Sequence, residues 1–354
     1  RFLFIPIVGY YFFLNSKINI KILIYIIFVT VCFVLVDTLF QFFNYNSKEG
    51  FGNDLLGFKS NWYGRLTGPF GDELVPGAYV SKFGLLGYLI FYFLKRNKIN
   101  IILQILYLSL IGLVCFASGE RMALATFFLG LFTLLLFFKN KRFTFFIAIT
   151  LSIILIILVY IFHPFYNDYK TLNSTQFHQG MQVEKTFKCE ENKNEECKKI
   201  INLQPSFLEI LKNFKTSAYG EIYLLAYKMY KDHPLTGIGI SNYKFACLNV
   251  DKYNKQMKHY NCASHPHNIY IQWLSEGGII LLFSFIIYLG YLFYLILSGK
   301  NYFDFKIISF VVMIILFWPI MSTGSLVKNW NGVLTFYLIS ICISLGQIKI
   351  DDEH

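Results

Sequence analysis

Two histidines and an asparagine, His265, His267 and Asn268, head an apolar run in the stretch SHPHNIYIQWLSEGG. A histidine at the boundary between water and lipid, at the mouth of a helical bundle, is placed to exchange a proton with a polar substrate that a lipid carries. Pro266 suits the first position of a helix, which puts His267 in the first turn. There the positive end of the helix dipole disfavours imidazolium and leaves a neutral base. Counting from Asn268, Gln272, Ser275 and Glu276 share one polar stripe on an otherwise apolar helix. Polar groups at membrane depth face a bundle interior or a wet cavity. The competing assignment for His265 and His267 is structural: rings that cap the helix and bond loop carbonyls. A metal-binding His-x-His would need a third ligand, and none stands at suggestive spacing.

Two arginines are the next candidates. Arg121, in ASGERMALATFF, stands at the outer end of an apolar run, where arginine is disfavoured unless it has a task. Its planar fork suits phosphate oxygens; the alternatives are a pair with Glu120 or extension to the headgroups. Arg65, in GRLTGPFGDE, sits among turn-forming residues that let a backbone approach a phosphate, with Asp72 or Glu73 to hold it. An ordinary loop arginine is the alternative there.

These residues need a membrane scaffold to position them, and composition supplies one. Hydrophobic residues make up 55% of the 354 and charged residues 15%. Apolar runs are expected to span as helices near 2–14, 20–42, 77–94, 99–117, 121–138, 143–162, 267–297, 305–323 and 331–347. The expected fold is therefore an all-α integral membrane protein, a polytopic helical bundle with one long loop domain. Lys17 and Lys21, then Lys95, Arg96 and Lys98, then Lys139, Lys141 and Arg142, then Lys300 and Lys306 all fall on one side under strict alternation. The positive-inside rule makes that side cytoplasmic. The opposite side receives loop 43–76, the turn at Ser118–Arg121 and a polar stretch of about a hundred residues from His163 to Ser264. Such a length marks a functional loop or a small domain. The organisation expected is 1–162 N-terminal spans, 163–266 an external loop with amphipathic helices, and 267–354 C-terminal spans with a short cytoplasmic tail. The chain opens on Arg1 and a short apolar stretch, so further sequence upstream is expected and the span count is a minimum. No cleavable signal peptide is assigned.

Cys32, Cys115 and Cys342 lie in apolar runs as packing residues, while Cys189, Cys197, Cys247 and Cys262 lie in the long loop. An oxidising exterior permits disulfides. Three pairings are open; the local closures Cys189–Cys197 and Cys247–Cys262 are favoured, with free thiols the alternative. The net charge of +11 reflects cytoplasmic flanks and the loop. No motif points to nucleic acid, and attraction to anionic lipid heads or a lipid pyrophosphate is the more natural reading.

Residues Tyr219–Lys231 read as an amphipathic helix with Tyr219, Ile222, Tyr223, Ala226, Tyr227 and Tyr230 on one face, lying on the membrane boundary or roofing the bundle. The following HPLTGIG is a turn in which Gly237 and Gly239 supply positive φ. A dinucleotide fingerprint is excluded, because Asn242 takes the place of its third glycine. No Asp-x-Asp occurs in the external segments to hold a divalent cation for a nucleotide sugar. The donor should then bring its own leaving group through the membrane, as a polyprenyl pyrophosphate does.

At this point the residues resemble a known family. HPLTGIGISNY followed by HPHNIYIQWLSEGGI is similar to the signature of the O-antigen ligase and O-antigen polymerase superfamily. SGERMALATFFLGLF resembles its Ser-x-x-Arg motif, and RLTGPFGDE a further motif in the preceding loop. The resemblance covers about residues 60–345. It implies a GT-C-like, metal-independent, inverting glycosyltransferase without a cofactor, in the bacterial inner membrane with its active site facing the periplasm. The implied donor is a glycan on undecaprenyl pyrophosphate. The implied acceptor is lipid A–core for a ligase or a growing glycan for a polymerase, and that choice stays open. His267 maps onto the essential histidine and Arg121 onto the motif arginine. From the residues themselves, Arg65 and Lys215 are further candidates to bind the pyrophosphate, Asn268 and Glu276 to orient the ring or the acceptor, and His265 to contact substrate. The chain departs from the pattern at Tyr219, where family members carry an arginine; Lys212, Lys215 and Arg65 are the candidates to compensate. Two rivals remain: a lipid-linked sugar or polysaccharide transporter, disfavoured by the lack of an internal repeat, and a protein O-oligosaccharyltransferase, which shares the superfamily.

Overall fold

The computed structural model describes residues 4–15, 20–47, 50–94, 98–175, 182–188, 196–203, 210, 212–257 and 261–347. The chain forms two compact units, one of residues 19–206 and one of residues 1–18 with 207–354.

The chain is mostly helical, and four described helices are long and apolar enough to cross a membrane: Ile20–Phe43, Lys98–Ala117, the run Lys139–Phe162 and Ile269–Ser298. Shorter apolar helices cover Phe4–Phe13, Arg121–Phe137 and Asn331–Gln347. Their surfaces explain the composition. Phe143, Phe162 and Phe283 are more than half exposed, an arrangement that hydrocarbon solvates and water does not. The expected span at 77–94 is a helix, Pro76–Gly87, that tightens into a 3-10 turn over Tyr88–Tyr92. The expected span at 305–323 ends early, at Leu316; Trp318–Lys328 instead forms a non-helical segment.

In the unit of residues 19–206, helices approach closely where residues are small. A Cβ on Gly112 would meet the Ser152 hydroxyl, and Ser109 Oγ donates to the Ala148 carbonyl at 3.2 Å. Small residues with a shared hydroxyl are how spans associate when lipid offers no hydrophobic drive. The unit also carries a small sheet within the mostly helical chain. Gln182–Lys188 pairs antiparallel with Glu196–Leu203 in the register Val183 to Ile201, and Trp62–Tyr63 adds a short parallel strand beside Asn202 and Leu203. The two segments contain Val183, Thr186, Phe187, Ile200 and Ile201, residue types that suit a pleated surface better than a helix. The expected Cys189–Cys197 pair lies outside the described residues.

In the other unit, Phe4–Asn15 packs on Asn329–Gln347, with Gly9 against Ser340. Three helices, Ala218–Asp232, Tyr243–Asn249 and Asp251–Asn254, form a cap with its own core of Ile222, Leu225, Ala226, Met229, Tyr243 and Tyr253. The disulfide Cys247–Cys262 closes this cap with Cα atoms 5.9 Å apart. The buried face of Ala218–Asp232 is rotated from the expected one. Ile222, Leu225, Ala226 and Met229 point inward with Glu221, whereas Tyr227 is half exposed. Tyrosine hydroxyls tolerate the polar side, where Lys231 lies over the Tyr227 ring, so the aliphatic residues take the core.

Candidate functional site

The helix Ile269–Ser298 is broken at Gly278, whose φ of 65° and ψ of −166° lie outside helical values. A break strands backbone groups, and the turn after Asp232 collects them. Ile238 N donates to Ser275 O at 3.0 Å and Gly239 N to Glu276 O at 2.9 Å, while Ile279 N donates to Pro234 O at 2.9 Å. The approach leaves no room for side chains: a Cβ on Gly237 would strike the Glu276 carbonyl carbon, and one on Gly278 the Leu235 carbonyl. Gly237 and Gly239 have φ of 64° and 98°, as the turn reading required. The Glu276 carboxylate completes the join. It accepts from Ser241 N at 3.1 Å, Tyr243 N at 3.4 Å and Gln272 Nε2 at 3.0 Å. Buried at 1% exposure, Glu276 fastens the turn to the helix.

The start of this helix differs from the expected one. Asn268, not Pro266, sets the boundary: its Oδ1 accepts from Tyr270 N at 3.0 Å and Ile271 N at 3.1 Å as an N-cap. His267 therefore lies one residue before the cap, in the left-handed region with φ of 53°, and not in the first turn. Such a φ is uncommon for a residue with a side chain and marks a constrained position. The constraint is a segment laid across it. Thr323 N donates to His267 O at 2.8 Å. Asn268 Nδ2 donates to the carbonyls of Pro319 at 2.8 Å and Met321 at 3.2 Å. Gln272 Nε2 reaches Ser325 Oγ at 2.8 Å. The segment that follows the early end of Phe303–Leu316 thus supplies carbonyls and an N–H that lock the histidine turn.

The two imidazoles fare differently. His265 Nδ1 pairs with Ser264 Oγ at 2.9 Å, and Nε2 with the Thr323 carbonyl at 3.2 Å. Burial, then the charge of His267, lowers its pKa to about 4, with the Thr323 carbonyl opposing. His267 is partly exposed and, among the described residues, its ring nitrogens have no hydrogen-bond partner. Burial, with Lys328 adding to it, pushes its pKa below the ordinary histidine value, so the ring is neutral near neutral pH. The His267 ring stands edge-on to Tyr219 with centroids 6.0 Å apart. Tyr219 OH in turn accepts from Ser322 Oγ at 3.2 Å. The helix bearing Tyr219 starts at Ser217, whose hydroxyl caps Gly220 N, and Lys215 is exposed on the turn just before it.

The unit of residues 19–206 brings Arg65 and the Ser118–Arg121 turn together. Leu66 N donates to Ser118 O at 3.4 Å. Gly119, with φ of 75°, faces Gly64 O and Arg65 Cδ so closely that a Cβ would collide. Glu120 caps the helix Pro76–Gly87: its carboxylate accepts from Gly77 N at 2.7 Å and Ala78 N at 3.1 Å. Burial pushes the Glu120 carboxyl up to about 7, against the pull of Arg65, those two amides and Lys82. Arg65 Nη2 donates to Leu74 O at 3.1 Å. The sequence offered Asp72 or Glu73 as the partner of Arg65; the carboxylate on which the charge of Arg65 acts in the structure is Glu120. Arg121 opens the helix Arg121–Phe137 directly after it, partly exposed.

Sequence reasoning missed Lys328, whose charge acts on both histidines. The signal was present: a lysine in a short loop on the side expected to be poor in them, the argument applied to Arg121. Among the described residues no group of three or more His, Cys, Asp or Glu side chains converges to hold a metal ion. Compared with known proteins, residues 106–286 match the family model described as O-antigen ligase. No curated protein matches the chain.

Proposed function

The chain belongs to the O-antigen ligase family, multi-pass membrane proteins of polysaccharide biosynthesis, and from that premise we propose that it transfers a glycan from undecaprenyl pyrophosphate to an acceptor sugar hydroxyl at the periplasmic face of the bacterial inner membrane. The observation that carries this reading is the state of His267: a neutral ring, partly exposed, held on a strained backbone, with nitrogens that no described residue engages. In the proposed reaction the acceptor oxygen attacks the anomeric carbon while His267 takes its proton. The bond from that carbon to the pyrophosphate breaks, and the electron pair leaves with the phosphate oxygen. Arg121, assigned by resemblance, balances the leaving charge, helped by Arg65 and by the loop lysine Lys215. His265, Asn268 and Glu276 act by positioning: their polar atoms are committed to holding the turn and the segment that fix His267.

Reconstituted protein, given a polyprenyl-pyrophosphate oligosaccharide with a chelator present, tests the reaction class. Product on lipid A–core identifies a ligase, and a ladder of longer lipid-linked chains a polymerase. Movement of lipid-linked sugar across the bilayer without transfer to any acceptor would overturn the reading in favour of a transporter.

A further inference from the structure

We propose that Phe214, Tyr223 and Tyr219 form a stacking track for the sugar rings of the acceptor glycan, ending at His267. That the glycan is the acceptor's rests on the reading of His267 as the base. Three observations lead to the track.

The first is an unbroken row of ring contacts. Centroids lie 6.2 Å apart from Phe214 to Tyr223, 6.1 Å from Tyr223 to Tyr219 and 6.0 Å from Tyr219 to His267. Phe214 is 42% exposed, and Tyr223, Tyr219 and His267 are each partly exposed. The row leads from an exposed ring to the imidazole whose nitrogens no described residue engages.

The second is the way local sequence fixes the rings. Tyr219 and Tyr223 stand four residues apart on Ala218–Asp232 and so share a face. Phe214 joins them because the turn before the helix folds back: Ser217 N and Ser217 Oγ both donate to the Phe214 carbonyl, at 3.1 and 2.6 Å. Gly220 permits this approach, since a Cβ there would strike the same carbonyl. At the other end Ser322 Oγ donates to Tyr219 OH at 3.2 Å, which ties the ring to the segment laid across the histidine turn. Rings fixed in advance lose little freedom on contact.

The third is chemistry. One face of a pyranose presents several C–H groups, and their slightly positive hydrogens suit the negative face of an aromatic ring. Aliphatic side chains would offer area without that attraction. Lys212, Asn213 and Lys215, exposed on the same turn as Phe214, can bond the sugar hydroxyls. A base takes the proton of the attacking hydroxyl, so rings that lead to it serve the acceptor and not the departing pyrophosphate.

Binding is read without turnover. Full-length protein in nanodiscs is studied by saturation-transfer NMR, with irradiation of the aromatic protons. The probes are core oligosaccharide and O-chain oligosaccharide, both released by mild acid from the lipopolysaccharide of the source cells. Transfer to sugar C–H protons is expected for one of them, and titration gives its Kd. Phe214→Ala and Tyr219→Leu should each raise that Kd about tenfold, the worth of one ring contact. Tyr219→Phe, which keeps the ring, should bind as wild type does. Phe214 is exposed, so its removal spares the fold and decides the matter even if Tyr219→Leu melts early. No transfer to either probe would overturn the proposal, as would an unchanged Kd in Phe214→Ala. A loss in Tyr219→Phe equal to that in Tyr219→Leu would also overturn it, by assigning the affinity to the hydroxyl. Glycan transfer by His267→Asn bears on the base alone, and the Kd of Phe214→Ala on the track alone.

Discussion

The rings of His265 and His267 lie 4.2 Å apart, centroid to centroid, tilted by 44°, and divide two tasks between them. His265 is bonded at both nitrogens to the frame; His267 presents its ring with none so engaged among the described residues. His265→Asn should therefore act through structure, lowering the melting temperature along with activity. His267→Asn should remove transfer and leave melting within a few degrees, since asparagine accepts a left-handed backbone better than most residues. Thermal unfolding beside a transfer assay separates the two.

His265 also carries a pH signature. Its folded pKa of about 4 lies below that of an unfolded histidine. The unfolded chain takes the proton first, so stability is full above about pH 6.5 and falls as pH drops toward 4. The linked loss is of the order of 3 kcal/mol. Melting curves across that range should show the decline, and His265→Asn should flatten it.

Glu120 has the opposite sign. Its folded pKa, pushed to about 7 by burial, exceeds the unfolded value. The neutral form is favoured in the fold, and this contribution, full below about pH 4.5, is lost as pH rises through 7. Glu120→Gln should reduce the change of melting temperature between those limits. An unchanged pH slope would mean that the carboxyl ionises freely in the fold.

Much of this site was legible in the sequence, and the reasons for the rest are specific. The apolar runs marked the spans because lipid requires long uniform stretches, and Gly237 and Gly239 marked their turn because only glycine takes those angles cheaply. The helix start was misread at Pro266 because proline and asparagine both suit such a boundary, and only the hydrogen bonds of Asn268 decide between them. The role of Glu276 was hidden because its donors, Ser241 N and Tyr243 N, are 35 and 33 residues away. The segment from Trp318 escaped notice because apolar residues continue past Leu316 while the helix does not. The antiparallel pairing of Gln182–Lys188 with Glu196–Leu203 was missed because lysine and glutamate interrupt any clean alternation there.

Gly278 and Gly237 let the two halves of the signature touch through backbone alone. Gly278→Ala or Gly237→Ala should cost about 2 kcal/mol from the forced angle, before any clash. Transfer should fall at least as steeply as stability, since the turn and the histidine share one helix. Unaltered melting in both variants would mean that the junction relaxes without loss.

Cys247–Cys262 closes a loop with a separation of 15 residues, a size for which a bridge contributes about 3 kcal/mol. Reduction, or Cys247→Ser with Cys262→Ser, should lower the melting temperature of the cap and raise its susceptibility to protease. Identical melting in oxidised and reduced protein would show that the core around Met229 and Tyr243 holds the cap alone.

The most direct measurement is transfer by His267→Asn in reconstituted membranes, beside wild type, with folding verified by melting and by an intact Cys247–Cys262 bridge. Abolished transfer in a folded variant is the result expected of a general base. Transfer at the wild-type rate would contradict the account, because the proton of the acceptor hydroxyl would then leave by another route.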